Sequence, residues 1–314
     1  MRLQSLLDAW NEFFFAPQSP LPIALFRVLY GMCVTATLLL LHSEWLNWYG
    51  TRGWITWPTI SKIEPGARLN LFALIPQNDS WIEASFWLFL GFAVLLTLGL
   101  LTRLSSVVVF LCLASLQQRN PFITNSGDTF LRIAGFFLMF APAGAALSLD
   151  RLIRIRIGRE GREIQPRSPW AQRMIQFQLA LVYFVGFCWK SMGAPWVNGT
   201  ALYYVFHLDQ IRRFPIPQWM EQPLILKLGT WLTLVLEFSL GILIWFRELR
   251  YPLLFIGLLF HLCLEYALNV PMFQWAMLSA YVLFIHPDDL TRAWDWTRDT
   301  LRNRLISRFE ADFQ

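Results

Sequence analysis

Charge is scarce in this sequence. Asp, Glu, Lys and Arg together make up 15% of its 314 residues, against about 25% in a typical soluble domain. That excludes an ordinary soluble enzyme, and a disordered chain even more firmly, because disorder needs charge and little apolar surface. Cysteine is scarce too. Cys33, Cys112, Cys188 and Cys263 each fall inside an apolar run, with no CxxC spacing and no histidine paired to them. A disulfide framework and a zinc site are therefore excluded, and buried thiols are expected. The chain also lacks a Gly-rich phosphate loop, a metal-ligand cluster and a serine nucleophile motif. Nucleotide, metal and acyl-transfer chemistry lose their support, and no metal is expected.

Apolar and aromatic surface is abundant. Hydrophobic residues reach 56%, with 27 Phe and 16 Trp, more than a soluble fold of this size can hide. The sequence therefore predicts an all-α, polytopic helical membrane bundle. A crossing helix needs roughly 20 apolar residues, and eight segments are candidates: 21–43, 81–101, 104–118, 127–147, 172–190, 224–246, 250–269 and 271–286, of which the third and eighth are short, so that seven spans or one re-entrant segment stand as alternatives. The net charge of +5 does not point to nucleic acid, because the basic residues lie between the apolar runs. With both termini cytoplasmic, the inner segments hold 16 of the 26 Lys and Arg residues and the outer ones 8, as the positive-inside rule expects. The stretch before residue 20 carries Asp8 and Glu12 and suits an interfacial helix, and the tail from Asp288 to Gln314 suits an amphipathic one. With no internal repeat or linker, a single domain in a bacterial cytoplasmic membrane is expected.

Two long connections, 44–80 and 191–223, face outward in this arrangement. They are rich in aromatics: Trp45, Trp48, Trp54 and Trp57 in the first, Trp196, Tyr203, Tyr204 and Trp219 in the second. Two readings stand, an aromatic belt at the headgroups and a binding surface held by the bundle.

Ionisable groups inside a membrane are costly and call for a partner or a purpose. Arg27, Asp128, Lys190, Glu237 and His261 are of this kind. Arg27 can snorkel or pair with a carboxylate. Asp128 and Arg132, and likewise His261 and Glu265, are four residues apart on one helix face and can pair locally. Lys190 ends the fifth span in Tyr183-Phe184-Val185-Gly186-Phe187-Cys188-Trp189-Lys190. It either marks the membrane boundary or serves as a general base, deprived of water beneath an aromatic loop.

The run Asn120-Pro121 to Asn125-Ser126-Gly127-Asp128, the end of the fourth span at Leu147-Ser148-Leu149-Asp150, the Tyr-x-x-Gly-x-x-x-Lys segment with Trp196 and Gly199, and Phe260-His261 together resemble the HTTM family. This is the membrane region shared with vitamin K-dependent gamma-carboxylases, and the resemblance runs from about Pro20 to Pro287. It implies a quinone-linked membrane enzyme in which Lys190 matches the base that deprotonates a reduced, vitamin K-like quinone on the outward side. His261, Glu237 and Asp128 would surround it. Arg27, Asn125, Trp196 and Tyr203 are the candidate substrate-binding residues. A peptide or protein substrate on the outward side is implied as well. The carboxylases' assisting histidine falls near Ser126-Gly127-Asp128, where Asp128 is the nearest titratable group. Their large propeptide-binding region has no counterpart after the last span. The alternative is a non-catalytic membrane protein that binds a lipid or a partner protein. A transporter is disfavoured, because no inverted repeat is visible.

Overall fold

The computed structural model describes residues 3–63, 70–296 and 300. Arg68 and most of the expected amphipathic tail lie outside the described residues. Among the described residues the fold is helical throughout, and the only β pairings are isolated bridges, Gln18 with Arg167 and Arg212 with Leu268.

Helix α1 (Leu3–Phe15) lies on the outside of the bundle: of its residues only Phe14 is buried. The bundle then runs through α2 (Leu21–Leu41), the short α3 (Trp45–Tyr49) and α4 (Trp57–Ile63), α5 (Asp79–Leu98), α6 (Thr102–Arg119) and α7 (Ser126–Leu138). It continues with α8 (Leu149–Arg156), α9 (Trp170–Ser191), the short α10 (Ala194–Val197) and α11 (Ala201–Phe206), α12 (Pro223–Ile242), α13 (Arg247–Ala267) and α14 (Phe273–Tyr281). A further helix covers 287–296. Packing closes these into a ring, α2 on α5, α5 on α6, α6 on α7, α7 on α9, α9 on α12, α12 on α13, α13 on α14 and α14 back on α2. Tyr30, Phe86, Phe89, Phe130 and Leu138 fill its interior. Leu39, Leu40, Trp87, Leu232, Val235, Phe255 and Ile256 face outward, an arrangement that needs lipid rather than water around it.

Four helices are long and apolar enough to cross a membrane: 21–49, 79–98, 223–245 and 247–267. Helices α6 and α9 have 18 and 22 residues but carry polar groups, among them Gln117 and Arg119 in one and Gln172, Gln176 and Lys190 in the other. The expected spans 127–147 and 271–286 are shorter as helices. Helix α7 stops at Leu138 because Pro142 lies just ahead and disfavours helical geometry at Ala141; turns carry the chain to Ser148. Helix α14 begins only after Pro271 and a left-handed Met272 at φ 56°.

Local signals explain where the helices start. The Asn78 side chain accepts from Trp81 N–H at 3.0 Å to cap α5. Asn125 and Asp128 form a reciprocal capping box on α7. The turn from α5 to α6 is held from a distance. Gly99 takes the left-handed conformation at φ 69°, and Asp150 accepts from Leu101 N–H and Thr102 N–H, both at 2.8 Å, and from the Thr102 hydroxyl at 2.7 Å. The first long connection is tied down by Arg119, which is buried and donates to the carbonyls of Tyr49 and Ile55 at 3.2 Å.

Candidate functional site

Helix α9 sets the site. Gln172, Gln176, Tyr183, Gly186 and Lys190 recur at the spacing of one helix face, so a row of polar groups runs the length of an otherwise apolar helix. That face meets α12, α14 and the turn after α14. Gln172 and Gln176 both donate to the Leu283 carbonyl, at 3.1 and 2.7 Å.

At the far end, the Lys190 ammonium donates to Glu237 on α12 and forms an ion pair with it. The Lys190 side chain is 30% exposed and that of Glu237 is 9%. Gly186 lies directly against the pair: a Cβ at this position would stand 3.4 Å from Glu237 Oε2 and 3.6 Å from Lys190 Nζ, in ordinary van der Waals contact with both. Trp196, on α10, covers the pair, with its ring centroid 5.4 Å from Lys190 Nζ. The cap is itself pinned to α12, because Trp231 Nε1 donates to the Val197 carbonyl at 3.1 Å and Leu202 N–H donates to Thr230 Oγ1 at 3.2 Å. One carboxylate oxygen, Glu237 Oε2, is buried without a hydrogen-bond partner. A buried, unpartnered carboxylate oxygen is a strong acceptor facing no donor.

Two turns further into α9, about 10 Å away, lies a second cluster. His261, 1% exposed, bonds Gln274 Oε1 through Nδ1 at 2.5 Å and the Tyr183 hydroxyl through Nε2 at 2.6 Å. Gln274 Oε1 can only accept, so Nδ1 carries the proton and Nε2 accepts from Tyr183. Tyr183 then accepts from the Tyr281 hydroxyl at 2.8 Å. The chain of donors runs one way, Tyr281 to Tyr183 to His261 to Gln274, and joins α14, α9 and α13.

Lys190, Glu237 and Trp196 are thus brought together, and His261 belongs to the separate Tyr183 cluster two turns away. His261 does not pair with Glu265, which is taken by Arg213 at 2.5 Å and by Trp275 Nε1 at 3.2 Å. Asp128 turns back to the Asn125 N–H at 2.8 Å rather than to Arg132, because the helix start offers it an unsatisfied amide. Asn125 caps α7 and reaches the Pro271 carbonyl at 3.3 Å; neither residue contacts Lys190. Arg27 is fully buried, with its guanidinium on the Leu147 carbonyl and Gly99 and Ser148 packed beside it, and it forms no ion pair with a carboxylate among the described residues. Tyr203 is half exposed and stacks with His207 at 4.4 Å. Among the expected belt aromatics, Trp45 is core instead: it is 3% exposed and donates to the Ile82 carbonyl at 2.9 Å. Trp54 and Trp219 stay exposed.

Sequence reasoning did not single out Tyr183 as a contact, nor Gln274 or Tyr281. Tyr183 shares a helix face with Lys190, which was a usable signal. Gln274 was the one uncharged amide in the last apolar run. Among the described residues no group of three His, Cys, Asp or Glu side chains is placed to hold a metal ion. The sequence pattern described as the HTTM domain matches residues 15–289. No solved structure matches the chain.

Proposed function

The chain belongs to the HTTM family, and on that premise we propose that it is a multi-pass membrane protein whose Lys190–Glu237 pair takes a proton from a lipid-soluble, weakly acidic substrate. Six long helices cross the bilayer in this reading. The remaining two crossings are completed by turns, after α7 through 139–148 and after α14 through Ile285. The count is even, so both termini share the basic, cytoplasmic side and Lys190 lies on the outward side.

The observation that carries the reading is a half-satisfied carboxylate held against an ammonium near the rim of the apolar bundle. Glu237 Oε2 has no donor, Lys190 retains donors beyond the one it gives to Glu237, and the Trp196 ring lies over them. The pair accepts the proton as one unit, and the ammonium then steadies the negative charge left on the substrate oxygen. Trp196 offers an apolar face against which a flat ring can lie. His261 and Tyr183 orient the inner wall of the site and are positioning residues. A reduced quinone would supply an acidic ring hydroxyl of the right kind, and the orphaned Glu237 oxygen fits it. Carboxylation of a peptide glutamate is not needed by this reading.

Purified protein supplied with a reduced naphthoquinone and dissolved oxygen should speed its oxidation above the uncatalysed rate, the pair taking the hydroxyl proton and oxygen taking the electrons. Lys190→Ala and Glu237→Gln should each remove that turnover while the protein still elutes as a folded species. Undiminished turnover in both variants would sink the reading. Absence of turnover in the wild type, together with tight co-isolation of a partner protein, would favour the non-catalytic alternative.

A further inference from the structure

At the opposite end of α9 from Lys190 lies a cavity of about 310 Å³, lined by Gln18, Ser19, Arg173, Arg250, His286 and Asp288 together with the ends of α9 and α14. A smaller one of about 120 Å³ adjoins it and shares Arg250, His286 and Asp288, adding Arg247, Tyr251, Asp289 and Arg292. Four arginines thus line the pair of cavities, against two aspartates.

The aspartates are occupied. Asp289 is taken by Tyr251 and Arg292, and Asp288, whose side chain is 81% exposed, lies 3.6 Å from His286 Nδ1. The two central guanidiniums have only neutral partners. Arg173 donates to the Phe13 carbonyl at 3.2 Å, to Gln176 Oε1 at 3.1 Å and to Gln18 Oε1 at 3.3 Å, and it lies 4.5 Å from the Phe13 ring. Arg250 reaches the Ile244 and Trp245 carbonyls only at 3.4 Å. Among the described residues neither forms an ion pair with a carboxylate. Two guanidiniums held on one cavity without a counter-charge are electrostatically incomplete, and a fixed guanidinium fork matches a phosphate or carboxylate oxyanion.

The surroundings indicate which oxyanion. Phe13, Phe14, Phe177 and Trp245 form a continuous aromatic cluster beside Arg173, with ring centroids 4.7 to 6.0 Å apart. Interfacial helix α1 leaves Trp10 and Phe15 exposed next to it, and Phe246 is exposed at the end of α12. Arginines below an aromatic rim, at the foot of lipid-facing helices, form the setting of a headgroup rather than of a soluble metabolite.

We propose that the Arg173–Arg250 cavity binds the phosphate of an anionic phospholipid, whose acyl chains lie against the Phe13–Phe177–Trp245 cluster. The site is independent of any chemistry at Lys190. The shared ligand chemistry is a phosphate oxyanion, which inorganic phosphate could also supply, so the test carries both.

Full-length protein in mixed micelles would be titrated with phosphatidylglycerol, with phosphatidylcholine at equal total lipid, and with inorganic phosphate. Binding would be read by native mass spectrometry and by the shift of the thermal unfolding midpoint. Phosphatidylglycerol should bind and stabilise more than phosphatidylcholine, and Arg250→Gln and Arg173→Gln should each weaken it roughly fivefold. Arg292→Gln, whose side chain is largely exposed, should weaken it less and keeps the test open if the buried variants fail to fold. Arg250→Lys should retain part of the effect, since it keeps the charge and loses the fork. Equal binding of the two lipids, or phosphatidylglycerol binding that survives all four substitutions unchanged, would overturn the proposal. So would saturation of the site by inorganic phosphate without any response to lipid.

Discussion

Lys190 and Glu237 lie 47 positions apart, and no spacing rule could have joined them, because helices α9 and α12 first have to pack. What was legible was that each was a charge in the wrong solvent and therefore in need of company. The local pairings suggested by four-residue spacing did not form, because a stronger claimant was nearer: a helix-start amide for Asp128 and Arg213 for Glu265. Removing one member of a buried pair strands the other, at a cost of about 3–5 kcal/mol when both are fully dry. The partial exposure of Lys190 reduces this, so Lys190→Ala should destabilise by about 1–3 kcal/mol. Replacing both, as Lys190→Met with Glu237→Leu, should return most of that loss. Thermal unfolding in detergent of the two single variants and the double one measures the coupling; additive losses would mean that the pair contributes nothing as a pair.

Helix positions were largely readable, since apolar runs bounded by Asn, Ser, Gly and Pro leave few choices. Helix lengths were less so. The sequence showed an apolar run through Pro142, and a run is not a helix when proline withholds an amide and crowds the residue before it. The connection from α5 to α6 depends on a residue 48 positions ahead of Thr102, Asp150. Burial alone would raise the Asp150 carboxyl, but hydrogen bonds from Thr102 and Leu101 and the charge of Arg154 outweigh it and hold the group below the usual aspartate range. A carboxyl lowered in the folded state contributes stability above its unfolded value of about 3.9, and that contribution is lost as pH falls through the folded value. Wild-type protein should therefore exceed Asp150→Asn by about 1–2 kcal/mol near neutrality. The gap should close on acidification below about pH 4. Unfolding midpoints of both proteins across that range give the comparison, and a gap constant with pH would remove Asp150 from this role.

The described residues form a closed ring of helices with a lipid-facing exterior; a helical membrane bundle followed from composition and periodicity, its closure into a ring did not. Which end faces which compartment is proposed from the charge bias, and it is testable directly. Cysteines introduced at Arg162 and at Glu221 lie before and after α9 respectively, in connections separated by one crossing of 22 residues, about 33 Å. A membrane-impermeant maleimide should label Glu221→Cys in intact cells and Arg162→Cys only after the membrane is opened. Equal labelling of both would contradict a crossing by α9. That same helix carries an arginine cavity at its start and the Lys190 pair at its finish, with Gln176 and Tyr183 on the same face between them. A rod anchored at both ends delivers at one whatever displacement it receives at the other, so the lipid make-up of one leaflet would set the posture of the acid–base pair in the opposite one.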